Sequence, residues 1–386
     1  DLLRGDHAGT LADGRYAALR EALAADGLDA VLVVEASDLV YLTGVMADAH
    51  LIVSREGDPV LLVRRGLGAL EAESPIADVR PLGSLRELAP LLAERGVHRL
   101  GLELDVLPAA RYLRYAQLLE GVELADGADA IAHVRAVKSA WEADRMRRAA
   151  AQLGEAFRAA PDLVAREETD LALQIELERV LRRAGHQGPL RFRGLNGVMF
   201  YGAVLAGPDG AVAPWADTPL GGPGPNAAVG KGPGGWRIGA GDAVTVDLVG
   251  AADGYVADAT RTFFRGEPRV PLAEALGVCE AILADLEGLM RPGVPAQDLY
   301  RRGLELATDA GFGDHWMGHG PARVRFVGHG IGLDINERPF LAEGFEAPLS
   351  AGNAIAVEPK LVFPGVGAVG VETSYLVTDA GPERLT

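Results

Sequence analysis

A chain of 386 residues is longer than one ordinary hydrophobic core, so two domains are expected, and 48% hydrophobic residues suffice to fill both. A formal charge of −17 with only 6% aromatic residues excludes a nucleic-acid surface built from basic patches and stacking rings. The single cysteine, Cys279, excludes an internal disulfide and a cysteine-rich metal site, and no apolar run approaches the roughly 20 residues of a membrane span.

The opening DLLRGDHAGT has neither the basic region nor the apolar stretch of a secretory signal, so a cytoplasmic protein is expected. Tyr16, Leu19 and Leu23 then share one helical face, with Gly27 as a stop signal, and Ala30–Val34 reads as a buried strand. Leu51–Ser54 and Val60–Val63 flank the hairpin signal Gly57-Asp58-Pro59. Helix patterns at Leu85–Ala93 and Ala109–Leu119 enclose a strand at Arg99–Leu104. Residues 1–136 therefore read as an α/β domain without a chemical constellation of its own.

Near Val137 the pattern changes to long, charged, amphipathic helices at Lys138–Ala160 and Glu167–Ala184, so the second domain is expected over 137–386. Gly207–Gly241 is a long Gly/Pro loop, which Trp215 and Trp236 mark as an ordered lid or rim. Two strands, Val244–Val249 and Tyr255–Phe264, follow as a hairpin. Helices at Leu272–Met290 and Gln297–Ala310, then strands at Ala354–Glu358 and Val369–Val377, complete an α+β domain. Cys279 falls in the apolar helix and reads as a small buried hydrophobe.

The chemistry concentrates in that second half. In a symmetric hairpin centred between Ala252 and Asp253, Asp247 faces Asp258, and like charges opposed among apolar neighbours need a positive partner: a cation, or failing that Arg261. Of the Gly-His-Gly triplets at 318–320 and 328–330, the second follows apolar Phe326-Val327, which makes His329 the ligand candidate and leaves His315 and His319 nearer the surface. Glu358 and Glu372 both stand in apolar strands, and a hairpin turning at Pro364-Gly365 sets them side by side, with Pro359 implying an edge or a bulge. Two GxGxxG matches, at Gly230/Gly232/Gly235 and Gly365/Gly367/Gly370, lack the strand-then-helix context of a phosphate cradle.

In order and spacing, Asp247, Asp258, His329, Glu358 and Glu372 resemble the metal ligands of the pita-bread metallopeptidases, the family of Xaa-Pro aminopeptidase, prolidase, methionine aminopeptidase and creatinase. DLVGAADGYVADATRTF, GHGIGL, AIAVEP and VGVET look like its motif blocks. RYAALREALAADGLDAVLVVEASDLVYLTGV looks like the amino-terminal domain of its prolidase and creatinase branch. The resemblance implies a creatinase-like amino-terminal α/β domain before a pita-bread α+β domain. It also implies two divalent ions, Mn²⁺, Co²⁺, Fe²⁺ or Zn²⁺. By similarity Asp247 chelates one ion, His329 and Glu358 hold the other, and Asp258 and Glu372 bridge them. Two such ions acidify water and polarise a scissile carbonyl, with Glu358 as proton shuttle and His329 beside it as a catalytic residue.

Departures from the family lie around the substrate. Asn336 replaces a histidine that contacts substrate in prolidases, next to Glu337; the loop near Gly230-Lys231 lacks a second histidine; Gly370 stands where an arginine is often found. Asparagine donates a hydrogen bond but carries no proton at neutral pH. The expectation is hydrolysis of a small peptide or small amide, as by an Xaa-Pro aminopeptidase or dipeptidase, in a homodimer without nucleic-acid or membrane partners. The alternatives are a creatinase- or ectoine-hydrolase-like enzyme for a non-peptide C–N bond and a catalytically silent binding protein. Neutralisation of the five-residue cluster by arginine or lysine instead of cations would count against the hydrolase reading.

Overall fold

The computed structural model describes residues 12–65, 68, 74–197 and 200–386. The opening residues read above for a secretory signal lie outside these. The chain forms two compact units: Asp1–Arg135 with Arg193–Gly197, and Ala136–Phe192 with Val198–Thr386.

In the first unit, helix α1 (Ala12–Ala25) buries Tyr16, Leu19 and Leu23 and ends before Gly27, whose φ of 67° favours glycine. Strands β1 (Ala30–Val33), β2 (Asp48–Ser54), β3 (Val60–Arg65), β4 (Asp78–Pro81), β5 (Arg99–Leu102) and β6 (Glu123–Asp126) form one sheet in the order β4-β3-β2-β1-β5-β6. β2 and β3 pair antiparallel across Gly57-Asp58-Pro59, while β1, β5 and β6 run parallel, as helix-linked strands do. The distant segment Arg193–Gly197 joins this unit through Arg193, which donates to Asp38 at 2.7 Å and Asp105 at 3.0 Å.

In the second unit, α2 (Ala140–Arg166) opens on a capping box, Ser139 with Glu142, and runs through Pro161 instead of stopping at Ala160. Burial of Ala160, Leu163 and Val164 on either side of the proline holds that last stretch helical against the loss of one backbone donor. α3 (Asp170–Arg183) follows, then strands β7 (Gly202–Ala206), β8 (Ala243–Ala252) and β9 (Tyr255–Phe264), with β8 in the middle. α2 lies so close to this sheet that a Cβ on Gly250 would sit 2.1 Å from the Ala149 carbonyl. Ala149, Leu153 and Ala156 meet Val246, Leu248 and Ala257 there.

Helices α4 (Leu272–Leu289) and α5 (Ala296–Asp309) bury Cys279, Ile282, Leu299 and Ala307 against the other sheet. Its strands are β10 (Phe326–Gly330), β11 (Glu337–Ala342), β12 (Ala354–Val357), β15 (Thr373–Thr378) and β16 (Gly381–Arg384), in the order β11-β10-β12-β15-β16; β13 (Lys360–Phe363) and β14 (Gly367–Gly370) make a separate hairpin. The single strand expected over Val369–Val377 is thus broken at Val371-Glu372, opposite the break at Glu358-Pro359. Proline cannot donate to a ladder, and the interruption passes to the facing strand.

Candidate metal centre

Both aspartates stand on the hairpin of β8 and β9, in a register two residues from the expected one. Asp247 pairs with Thr260, and Asp258 pairs with Val249. The turn is Asp253-Gly254, with φ of 50° and 89°, because an Asp-Gly pair accepts the two left-handed conformations of a tight hairpin turn. Asp247 and Asp258 are therefore diagonal neighbours on one sheet face, not directly opposed.

His329 reaches them from β10. A Cβ at Gly328 would lie 2.2 Å from the Ala356 carbonyl, and one at Gly330 would lie 2.1 Å from the Arg338 carbonyl, so the flanking glycines let β10 fit between its neighbours. The ring Nδ1 lies 3.0 Å from the Gly330 carbonyl. A carbonyl only accepts, so Nδ1 carries the proton and Nε2 keeps a lone pair for a ligand. Glu358 and Glu372 lie at the two breaks. The pairs Val357 with Thr373 and Lys360 with Gly370 bracket them in one continuous register, which sets the two glutamates side by side.

Arg261, the side chain named in the sequence as an alternative to a cation, does not supply the balancing charge. Arg261 donates to the backbone carbonyls of Thr260, at 2.9 Å, and Glu372, and lies over the Phe157 ring. Lys360 enters the cluster instead. Its Nζ donates to Glu358 Oε2 at 2.5 Å and Glu372 Oε2 at 2.9 Å and lies 3.9 Å from Asp247 Oδ2, with the side chain 1% exposed. Burial opposes its charge, but Glu358, Glu372 and Asp247 more than offset this and hold its pKa well above the usual lysine range. Lysine therefore neutralises part of the cluster, which is in part the outcome set out above as counting against the hydrolase reading.

The rest still asks for a cation. Asp258 Oδ1 is buried and has no hydrogen-bond partner among the described residues. Burial, then the Glu372 and Asp247 charges, push its carboxyl well above the usual carboxylate range. Asp258, His329 and Glu372 each offer one ligand atom, all within 4.8 Å of one another. Two carboxylates and an imidazole fit a divalent transition-metal ion. Thr260 Oγ1 steadies Glu372 by donating to its Oε2 at 2.7 Å.

These residues line a cavity of about 570 Å³, within the range of small-molecule sites. Phe192, Phe200, Phe326, Phe340 and Phe345 supply its apolar walls; Lys231, Arg325 and Asn336 supply polar ones, and the Gly/Pro loop contributes Ala216, Asp217 and Thr218. Glu337, expected beside Asn336 as a substrate contact, does not line the cavity. Its carboxylate accepts from the Leu333 and Asp334 amides at 2.8 and 3.0 Å and pairs with buried Lys138 at 3.0 Å. That network holds the turn before β11.

A creatinase-like α/β unit ahead of a pita-bread unit with a buried carboxylate and imidazole cluster defines a metallopeptidase-type hydrolase. The chain belongs to metallopeptidase family M24, whose profile matches residues 144–379, and residues 15–137 match the creatinase/prolidase N-terminal domain. It is 25% identical over 364 residues to the peptidase YqhT of Bacillus subtilis, covering 93% of this chain and 94% of that one. It is also 25% identical to the Xaa-Pro dipeptidase of Lactobacillus delbrueckii subsp. lactis, with 95% of each covered. The solved structure of an Xaa-Pro dipeptidase from Bacillus anthracis superposes with a TM-score of 0.82 at 25% identity, covering 97% of both chains. That of dipeptidase PepE from Mycobacterium ulcerans gives 0.81 at 26% identity, covering 99% of this chain and 97% of that one. Among the described residues no helix is long and apolar enough to cross a membrane.

Proposed function

We propose that the second unit hydrolyses the amide bond of a small peptide of the Xaa-Pro dipeptide kind, with a divalent metal ion held by Asp258, His329 and Glu372. The observation that carries this reading is the convergence of those three side chains, one with an orphaned buried oxygen, in the wall of a cavity of about 570 Å³. The dipeptidase names of the relatives support the substrate class. Mn²⁺, Co²⁺, Fe²⁺ and Zn²⁺ all suit the donor set.

When bound, the ion supplies Lewis-acid polarisation of the scissile carbonyl and acidifies water at the site. Glu358 keeps Oε1 for proton transfer, since Lys360 engages Oε2. That oxygen takes a proton from the attacking water and returns it to the departing amine. The phenylalanine walls exclude water and receive an apolar or imino-acid side chain. Arg325 and Lys231 offer positive charge to the carboxylate end of the substrate, and Asn336 offers an amide donor without a titrating proton. A cytoplasmic homodimer belongs to the same proposal on the family resemblance alone; light scattering at the monomer mass would remove the dimer.

Metal analysis and turnover test the proposal together. Asp258→Ala and His329→Ala are each expected to lose the ion and, with it, cleavage of Xaa-Pro dipeptides. Unchanged metal content in both variants would refute the ligand roles, and cleavage by the native chain confined to non-peptide amides would favour the creatinase-like alternative.

A further inference from the structure

Lys360 bears on how many ions the centre holds. We propose that its side-chain nitrogen takes the position of one of the two cations, so that this is a one-ion centre, with the ion on the Asp258, His329 and Glu372 side. The inference rests on the metal-dependent reading above and narrows it.

Three observations carry it. First, Nζ lies among the carboxylates that a second ion would need: 2.5 Å from Glu358 Oε2, 2.9 Å from Glu372 Oε2 and 3.9 Å from Asp247 Oδ2. A transition-metal ion would bind carboxylate oxygens at about 2.0–2.2 Å and would have to occupy the same space. Second, Glu372 Oε2 accepts from both Lys360 Nζ and Thr260 Oγ1, the latter at 2.7 Å. Both of its lone pairs are engaged, which leaves Oε1 as its remaining ligand atom and removes the bridge between two ions.

Third, the lysine has a built place. Its backbone carbonyl accepts from the Met317 amide at 2.9 Å, and its stem crosses the face of Gly370, its partner on β14. A Cβ at position 370 would lie 2.5 Å from Lys360 Cγ, so the missing side chain at 370 is what admits the stem.

The test is metal stoichiometry with a spectroscopic signature. The full chain, stripped with a chelator and reloaded with Mn²⁺, is expected to hold one ion per chain and to show the hyperfine pattern of an isolated Mn²⁺ in electron paramagnetic resonance. Lys360→Met, whose side chain stops one atom short of the Nζ position, is expected to take up a second ion and show exchange coupling. Two coupled ions in the native chain would overturn the inference while leaving the metal-dependent reading intact. No bound ion would remove both. A variant that folds and still binds one ion would show that Lys360 is not what excludes the second. If the variant does not fold, the spectrum of the native chain decides.

Discussion

Replacing Lys360 by methionine should destabilise the second unit when no metal is supplied. The native ammonium is 1% exposed and donates to two buried carboxylates at 2.5 and 2.9 Å, with a third 3.9 Å away. Removing one partner of a buried ion pair costs about 3–5 kcal/mol, because the charge left behind is neither hydrated nor paired. Here two glutamates lose their partner at once, so the upper half of that range is expected, and protonation of one acid keeps the loss from doubling. Trp141, Trp215, Trp236 and Trp316 all fall in the second unit, so tryptophan fluorescence during guanidinium unfolding in the presence of a chelator reads that unit alone. A divalent ion at about one hundred times its Kd should then restore about 2.7 kcal/mol. A variant within about 0.5 kcal/mol of the native chain under chelation, or more stable than it, would refute the claim that Lys360 is the counter-charge of these acids.

Three further outcomes follow from other parts of the molecule. Gly250→Ala should cost about 1–3 kcal/mol or more in the same unfolding assay, since the new methyl would meet the Ala149 carbonyl at 2.1 Å; an unchanged midpoint would mean that α2 can shift freely. Burial depresses His50 and His186 from 6.5 to about 4. Between those values the unfolded chain binds protons that the native state refuses, so stability rises with pH across the window and is lost on acidification, by up to about 3 kcal/mol per histidine. Denaturation midpoints that stay flat from pH 6.5 to 4 would contradict it. Asn336→His should raise kcat/KM on Xaa-Pro dipeptides relative to other small amides; no gain on prolyl substrates would remove Asn336 from the substrate pocket.

The candidate site was legible where residue type and spacing carried the chemistry. Two aspartates in an apolar hairpin, a histidine between glycines and two glutamates flanking a turn needed no long-range information to stand out. Lys360 did carry a signal: it lies two positions after Glu358, the spacing that brings side chains to one face of a strand. Pro359 between them made that periodicity untrustworthy, and a lysine in a strand ordinarily carries its ammonium out to water. Glu337 misled for the opposite reason. Its neighbour Asn336 does reach the cavity, but Lys138, distant along the chain, claims the glutamate. The hairpin register went astray because the turn was centred by symmetry, whereas the tolerance of Asp253-Gly254 for positive φ fixed it two residues away.

The interruption that splits β12 from β13 and β14 from β15 removes two residues from each strand and leaves the pairing on either side in step. The tip of the hairpin, between Phe363 and Gly367, can therefore change length in related chains without disturbing the acids. A one-residue insertion between Glu358 and Lys360 would turn the lysine onto the opposite sheet face and away from Glu358. Natural variation in this segment should accordingly collect at the tip, and the spacing from Glu358 to Lys360 should drift only where position 370 regains a side chain.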